Sequence, residues 1–199
     1  MKDNLFYDGA YLTWNDAYDG VSRYWRATSG IVEGSTDYRN SQHQCVKDKG
    51  PVPEGNYEIE VVTRGMAKAD FSTCSLVRPK GGGIQSIPRG ADARRGSNDC
   101  ESYWMNWGIN RVQMNPADRA TRNSCSPLRT GFYIHDSSKG YSHGCIEVEA
   151  DFFDVLRKFA ERIGRLGTDP TMKVVIKYRG KDVSTYSHTD QPGFVGPLQ

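Results

Sequence analysis

One stretch of this chain repeats its apolar residues at helical spacing. In "ADFFDVLRKFAERIGRLG" the residues Phe152, Leu156, Phe159, Ile163 and Leu166 recur every three or four positions, which defines one apolar face of a helix. Asp151 and Asp154 at its start, Arg162 and Arg165 near its end, and Gly167 beyond it suit the dipole and a glycine stop. The rest of the chain offers short extended runs separated by glycine and proline. Asp8-Gly9 predicts a tight hairpin, "YWRATSG" a strand ended by Gly30, and "KGPVPEGNYEIEVV" a turn feeding a strand. In that strand Tyr57, Ile59 and Val61 alternate with Glu58, Glu60 and Val62. "GFYIH", "IEVE" and "MKVVIKY" read as further strands. A chain with 21 glycines, 37% hydrophobic residues and one amphipathic helix is expected to be mainly β, in the α+β class.

The length of 199 residues fits a single domain over 1–180. Between about 64 and 102 the alternation is lost, and "RPKGGGIQSIPRGADARRGSND" reads as a basic, loop-rich insertion. It is either a solvated charge run or a rim for an acidic polymer or carboxylate. In "SYWMNWGINRVQMNP" Trp104, Trp107, Ile109, Val112 and Met114 are candidates for a core or an aromatic cleft. The last residues, 181–199, read as a C-terminal surface extension that includes His188. With 26 basic and 24 acidic residues the charge is nearly balanced, which gives no nucleic-acid footprint. No apolar run approaches the roughly 20 residues needed to cross a bilayer, so membrane insertion is not expected. The N-terminus has no apolar h-region, and synthesis without a general secretory signal is the expectation.

The chemistry concentrates in "GFYIHDSSKGYSHGCIEVE", Gly131 to Glu149, which holds two of the four histidines and one of the five cysteines. No C-x-x-C pair occurs, so neither a zinc ribbon nor a thioredoxin-type centre is indicated. His135, His143 and Cys145 offer three ligands to a metal, but no H-E-x-x-H helix or second cysteine pair supports that reading. No metal or cofactor is expected. A cysteine nucleophile needs a base, because a free thiol ionises only near about 8.5. His135, ending a strand, reaches Cys145 if "DSSKGYSHG" loops back between neighbouring strands. His143 and Cys145, two residues apart, leave an extended chain on one face. Gly144 permits a turn that aims nearby amides at one point, as an oxyanion hole requires.

"IHDSSKGYSHGCIEV" resembles the signature of the YkuD-type L,D-transpeptidases, and "KGPVPEGNY" is similar to that family's upstream turn. The order of these blocks is closer to a branch of small L,D-transpeptidase-like toxins that type VI secretion exports against the peptidoglycan of rival bacteria. The resemblance covers most of residues 5–178, leaving out 64–102 and the tail. It implies a YkuD-like sandwich or barrel of short strands with one helix after Cys145. It also implies that Cys145 attacks the stem tetrapeptide, with His135 as general base and with His143 and Gly144 shaping the oxyanion hole. Ser142, Glu147, Tyr133 and Asp136 would then contact substrate.

Housekeeping members carry arginine two residues after the cysteine, where this chain has Glu147, and their His–Cys interval is longer. Both departures favour hydrolysis or D-amino-acid exchange over crosslinking. The resemblance further implies peptidoglycan stem peptides and a cognate immunity protein as partners, a type VI secretion component as carrier, and action in the periplasm of target bacteria. There Cys45, Cys74, Cys100 and Cys125 can form disulfides, in any of three connectivities. A housekeeping crosslinking enzyme and a non-catalytic wall-binding module remain the competing readings.

Overall fold

The computed structural model describes residues 4–16, 19–180 and 182–185; His188 and most of the expected extension lie outside the described residues. Ten strands form the main sheet: β1 (Asn4–Tyr7), β2 (Tyr11–Asn15), β3 (Ser22–Gly30), β4 (Gly55–Glu60), β5 (Thr63–Met66), β6 (Ile84–Ser86), β7 (Asn110–Pro116), β8 (Phe132–His135), β9 (Ser142–Val148) and β10 (Thr171–Ile176). Eight of them close into a barrel in the order β8-β9-β3-β2-β1-β10-β4-β7, with β7 returning to β8. The mainly-β expectation is met in its barrel form.

Six of the eight seams are antiparallel. The parallel ones are β1 with β10 and β8 with β9, four strands apart around the ring. The barrel is thus two antiparallel half-sheets, β9-β3-β2-β1 and β10-β4-β7-β8, joined at two opposite seams.

The alternation read from the sequence fills the barrel. Leu5, Leu12, Trp14, Tyr57, Ile59, Val112, Met114, Phe132, Ile134, Ile146, Val148 and Val174 form one continuous buried core. The helix, Asp151–Leu166, packs Phe152, Phe153, Leu156, Phe159 and Ile163 into that same core and ends on left-handed Gly167. Phe152 meets Trp25 edge-on at 5.1 Å between ring centroids, and Phe159 meets Trp14 at 4.9 Å. Burying each such ring contributes about 1.5–3 kcal/mol. Leu166, counted on the apolar face from spacing, is instead 63% exposed, because it sits in the last turn beyond the core.

The expected loop at 64–102 is an ordered roof over the outer wall of β7 and β8. It contributes β5, β6, a small hairpin (Ala69–Asp70 with Ser75–Leu76) and a second one (Arg94–Arg95 with Asn98–Asp99). Ile87, Ala93, Cys100 and Trp104 make a second small core there, with Phe71 and Leu76 against it. A Cys74–Cys100 disulfide closes that core, and a Cys45–Cys125 disulfide joins the 41–54 segment to the loop before β8. A stapled core this small leaves almost no periodic pattern, which is why the sequence reads as loop. Ile109, a core candidate, is 59% exposed, whereas Val112 and Met114 are in the main core. Part of the expected surface extension also docks: Thr185 is 2% exposed and its hydroxyl donates to the Ser29 carbonyl at 2.5 Å.

Candidate active site

Side chains that alternate with the core residues point out of the barrel, and across five strands they fall into one row. Register pairs Gln85 with Arg111, Arg111 with His135, His135 with Glu147 and Glu147 with Thr28. All five are buried, since the roof and the 136–141 loop cover this part of the wall. Polar groups this deep must be satisfied by one another, and most of them are.

Cys145 sits beside this row on an irregular piece of β9. Between Ser142, opposite Gly30, and Glu147, opposite Thr28, five residue steps on β9 face two on β3. This large bulge carries His143, Gly144 and Cys145 out of the regular ladder. Gly144 has φ 103°, and a Cβ there would overlap Nη2 of Arg129. Arg129 is buried and its guanidinium donates to the carbonyls of Gln44, Gly50 (3.0 Å) and Pro51 (2.6 Å). The upstream "KGP" turn is thereby fastened against the Ser-His-Gly-Cys block. His143, exposed, places Nδ1 2.8 Å from the Asp48 carbonyl on the same turn. Ser142 is buried, and its hydroxyl donates to the carbonyl of Cys145.

The thiol of Cys145 is the only free cysteine and is half-buried. Burial pushes its pKa up to about 11, against the backbone N–H of Tyr133 and the charges of Lys139, Arg129 and Arg111, which favour thiolate. Desolvation wins, so the resting group is a protonated thiol.

His135, on the parallel neighbour strand, is 3% exposed and packs edge-on against Trp107 at 5.5 Å. Its Nδ1 lies 3.2 Å from the Ser137 hydroxyl, and that hydroxyl donates to the Glu147 carboxylate. Ser137 has one proton to give, and Glu147 takes it. The hydroxyl lone pair therefore faces Nδ1, the arrangement of an imidazole protonated on Nδ1.

Glu147 was expected at the substrate, and the structure places it under the loop. It is 0% exposed, and besides Ser137 it accepts from the backbone N–H of Gly140 at 2.6 Å. Burial raises its pKa, while those hydrogen bonds and Lys139 counteract the rise. The carboxylate fills the turn that lets two parallel strands follow each other with six residues between them, where a crossover helix is usual. Asp136 is also internal. It accepts from the backbone N–H groups of Ile109 (2.6 Å) and Asn110 (2.7 Å) and from the Asn110 amide (2.7 Å), fixing the entry to β7. Gly108 allows this approach, because a Cβ there would overlap the Asp136 carboxylate. Tyr133, 6% exposed, lies between Trp107 at 5.2 Å and the guanidinium of Arg111 at 4.8 Å. Among the described residues no group of three His, Cys, Asp or Glu side chains could hold a metal ion.

Residues 29–174 match the family model described as the Tlde1 domain. The chain belongs to that family. No curated protein matches it. In this Tlde1 domain the residues expected from the sequence divide in two. Cys145, His143 and Gly144 share the β9 bulge and His135 ends the neighbouring strand β8, whereas Ser142, Glu147 and Asp136 are turned inward as fixings. Four residues around the thiol were not anticipated: Arg111, Arg129, Ser137 and Lys139. Arg111 had a signal, since alternation with Val112 and Met114 puts it on the outer face. Arg129 had none, because it lies in no periodic segment.

Proposed function

We propose that this Tlde1 domain is a peptidoglycan-acting cysteine enzyme, an L,D-carboxypeptidase and L,D-transpeptidase that attacks stem tetrapeptides, delivered as an antibacterial effector by type VI secretion. The observation that carries this reading is the Glu147–Ser137–His135 chain of hydrogen bonds beside a lone thiol on the next strand. An oriented base next to a cysteine is the arrangement that covalent acyl transfer needs.

In this reading the half-buried thiol surrenders its proton to Nε2 of His135 as substrate displaces water around it. The sulfur attacks the carbonyl of the third residue of the stem, and the terminal D-amino acid leaves with the proton held on His135. Amides on the Gly144 bulge stabilise the oxyanion, and Arg129 and Arg111 stabilise the negative charge that develops there. Water then resolves the thioester to give carboxypeptidase action; a D-amino acid in its place gives exchange. Glu147 acts as a positioning residue in this scheme, and the loss of a substrate-binding arginine at that place disfavours crosslinking. Delivery into the periplasm of a rival cell, and an immunity protein that protects kin, follow from the effector reading.

Incubation with purified sacculi and mass spectrometry of the muropeptides tests it. Loss of the terminal residue from tetrapeptides, abolished by Cys145→Ala in a folded protein, is the expected result. A Cys145→Ala variant that remains toxic in the periplasm would refute the enzyme reading in favour of a binding module.

A further inference from the structure

The roof creates a cleft of about 420 Å³ beside β5 and β6, and Arg64, Lys68, Arg78, Lys80, Val77 and Gln85 line it. Arg64 is paired with Glu60 at 2.9 Å. Lys68, Arg78 and Lys80 have no carboxylate partner among the described residues; Arg78 reaches the side-chain amides of Gln113 and, at 3.1 Å, Asn115. The pocket is thus a concave surface with surplus positive charge, the setting that concentrates an anion.

Its inner wall is stranger. Arg111 is 1% exposed, and burial lowers its pKa. Buried cations normally have an anionic partner, yet the partners of Arg111 are neutral. Nε and Nη2 donate to Oε1 of Gln85 at 3.1 and 3.0 Å, and Nη2 also donates to the Val77 carbonyl at 2.7 Å. Nη1 makes no hydrogen bond among the described residues. The ring faces of Trp107 and Tyr133 flank the guanidinium at 5.3 and 4.8 Å and hold its plane. Both neutral partners, Val77 and Gln85, also line the basic cleft, so the guanidinium lies directly behind that lining. Arg111 is also the register neighbour of His135 and acts electrostatically on Cys145. Cleft and thiol are parts of one positive field.

We infer that this cleft is an anion subsite that takes a free carboxylate of the donor peptide, with Lys68, Arg78 and Lys80 in its lining and Arg111, behind that lining, supplying uncompensated charge between cleft and Cys145. The inference rests on the peptide substrate proposed above and names how that substrate is recognised. A buried guanidinium whose hydrogen-bond partners are all neutral leaves its charge to be balanced from the cleft. Exposed Lys68, Arg78 and Lys80 draw the charged chain towards it. The basic character of 64–102 is thereby put to use.

The test uses Cys145→Ala protein, which cannot turn over, and calorimetric titration with a synthetic stem tetrapeptide. A matched series carries a carboxamide at each carboxylate in turn. At least one amidated peptide is expected to bind ten-fold or more weaker than the free acid. That difference should shrink below three-fold when Arg111→Met is added. The surface variant Lys68→Glu/Lys80→Glu, chosen because both side chains are exposed, should weaken the free acid at least ten-fold and abolish the loss of affinity on adding salt. Equal binding of every amidated form, or parental affinity in the charge-reversed protein, overturns the subsite while leaving the peptide substrate standing. Failure of all peptides to bind would overturn both.

Discussion

Glu147→Gln separates a carboxylate that orients the base from one that only fills a turn. The substitution keeps the shape but exchanges one acceptor oxygen for a donor. In the native site one carboxylate oxygen accepts from the Gly140 N–H at 2.6 Å and the other from the Ser137 hydroxyl. Glutamine retains only one of these. If its oxygen stays with Gly140, its NH2 faces Ser137, whose hydroxyl must then accept from the amide and donate towards Nδ1 of His135, 3.2 Å away. The imidazole proton moves to Nε2, and the base proposed for the thiol is lost. Loss of one hydrogen bond to a charged group costs about 1.5–3 kcal/mol of stability, which lowers Tm by roughly 4–10 °C in a domain of this size. A misplaced tautomer costs on the order of 10⁴ in kcat, about 5.5 kcal/mol of barrier. The assay is tetrapeptide turnover by mass spectrometry alongside thermal melts, with nitrogen NMR of His135 reporting the tautomer. A folded variant whose kcat stays within three-fold of the native enzyme, with Nδ1 still protonated, would refute the relay.

Because burial holds the Cys145 thiol at about 11 rather than the ordinary 9, the thiolate fraction rises ten-fold per pH unit as pH increases towards 11. Alkylation by iodoacetamide should climb with unit slope from pH 7 to 10, and a plateau beginning below pH 8 would reveal a resting ion pair instead. The same shift means that an unfolded chain ionises first, so the stability this group gives is complete below 9 and is lost as pH rises from 9 to about 11. Loop-closure entropy assigns about 3.5 kcal/mol to the disulfide spanning 26 residues and about 4.5 kcal/mol to the one spanning 80. Reductant should therefore lower Tm by at least about 10 °C, while Cys74→Ala/Cys100→Ala should expose Trp104 fluorescence without loss of β circular dichroism. Gly144→Ala places a Cβ onto the Arg129 guanidinium at φ 103° and should cost about 1–3 kcal/mol together with most of the activity; a variant with native Tm and turnover would show that the bulge tolerates displacement.

Much of this arrangement was legible in the chain because it rests on period. Alternation in "NYEIE" and "GFYIH" and the 3.6-residue repeat after Ala150 gave the barrel strands and the helix with their buried faces. The proposed thiol and base could be picked out because Ser-His-Gly-Cys and Ile-His are each contiguous in sequence. Residues whose roles depend on cross-strand neighbours were hidden. Glu147 looked like a substrate ligand since it follows Cys145 by two, yet a three-residue bulge and a short parallel connection turn it inward. Arg129 is recruited by carbonyls some eighty positions upstream, which no local pattern announces. The roof stayed invisible because a disulfide and a single tryptophan do there what a dozen aliphatic residues do elsewhere.

The two parallel seams have a consequence for when the molecule becomes reactive. His135 belongs to one antiparallel half and Cys145 to the other, so neither half contains a working pair by itself. The opposite seam joins Asn4 to Lys173, contacts that close only when nearly the whole chain has been made. Such long-range pairing is slow relative to local structure. On the function proposed above, a growing or partly unfolded chain carries all the chemical groups and none of the chemistry, and topology serves as a timer that acts ahead of any inhibitor.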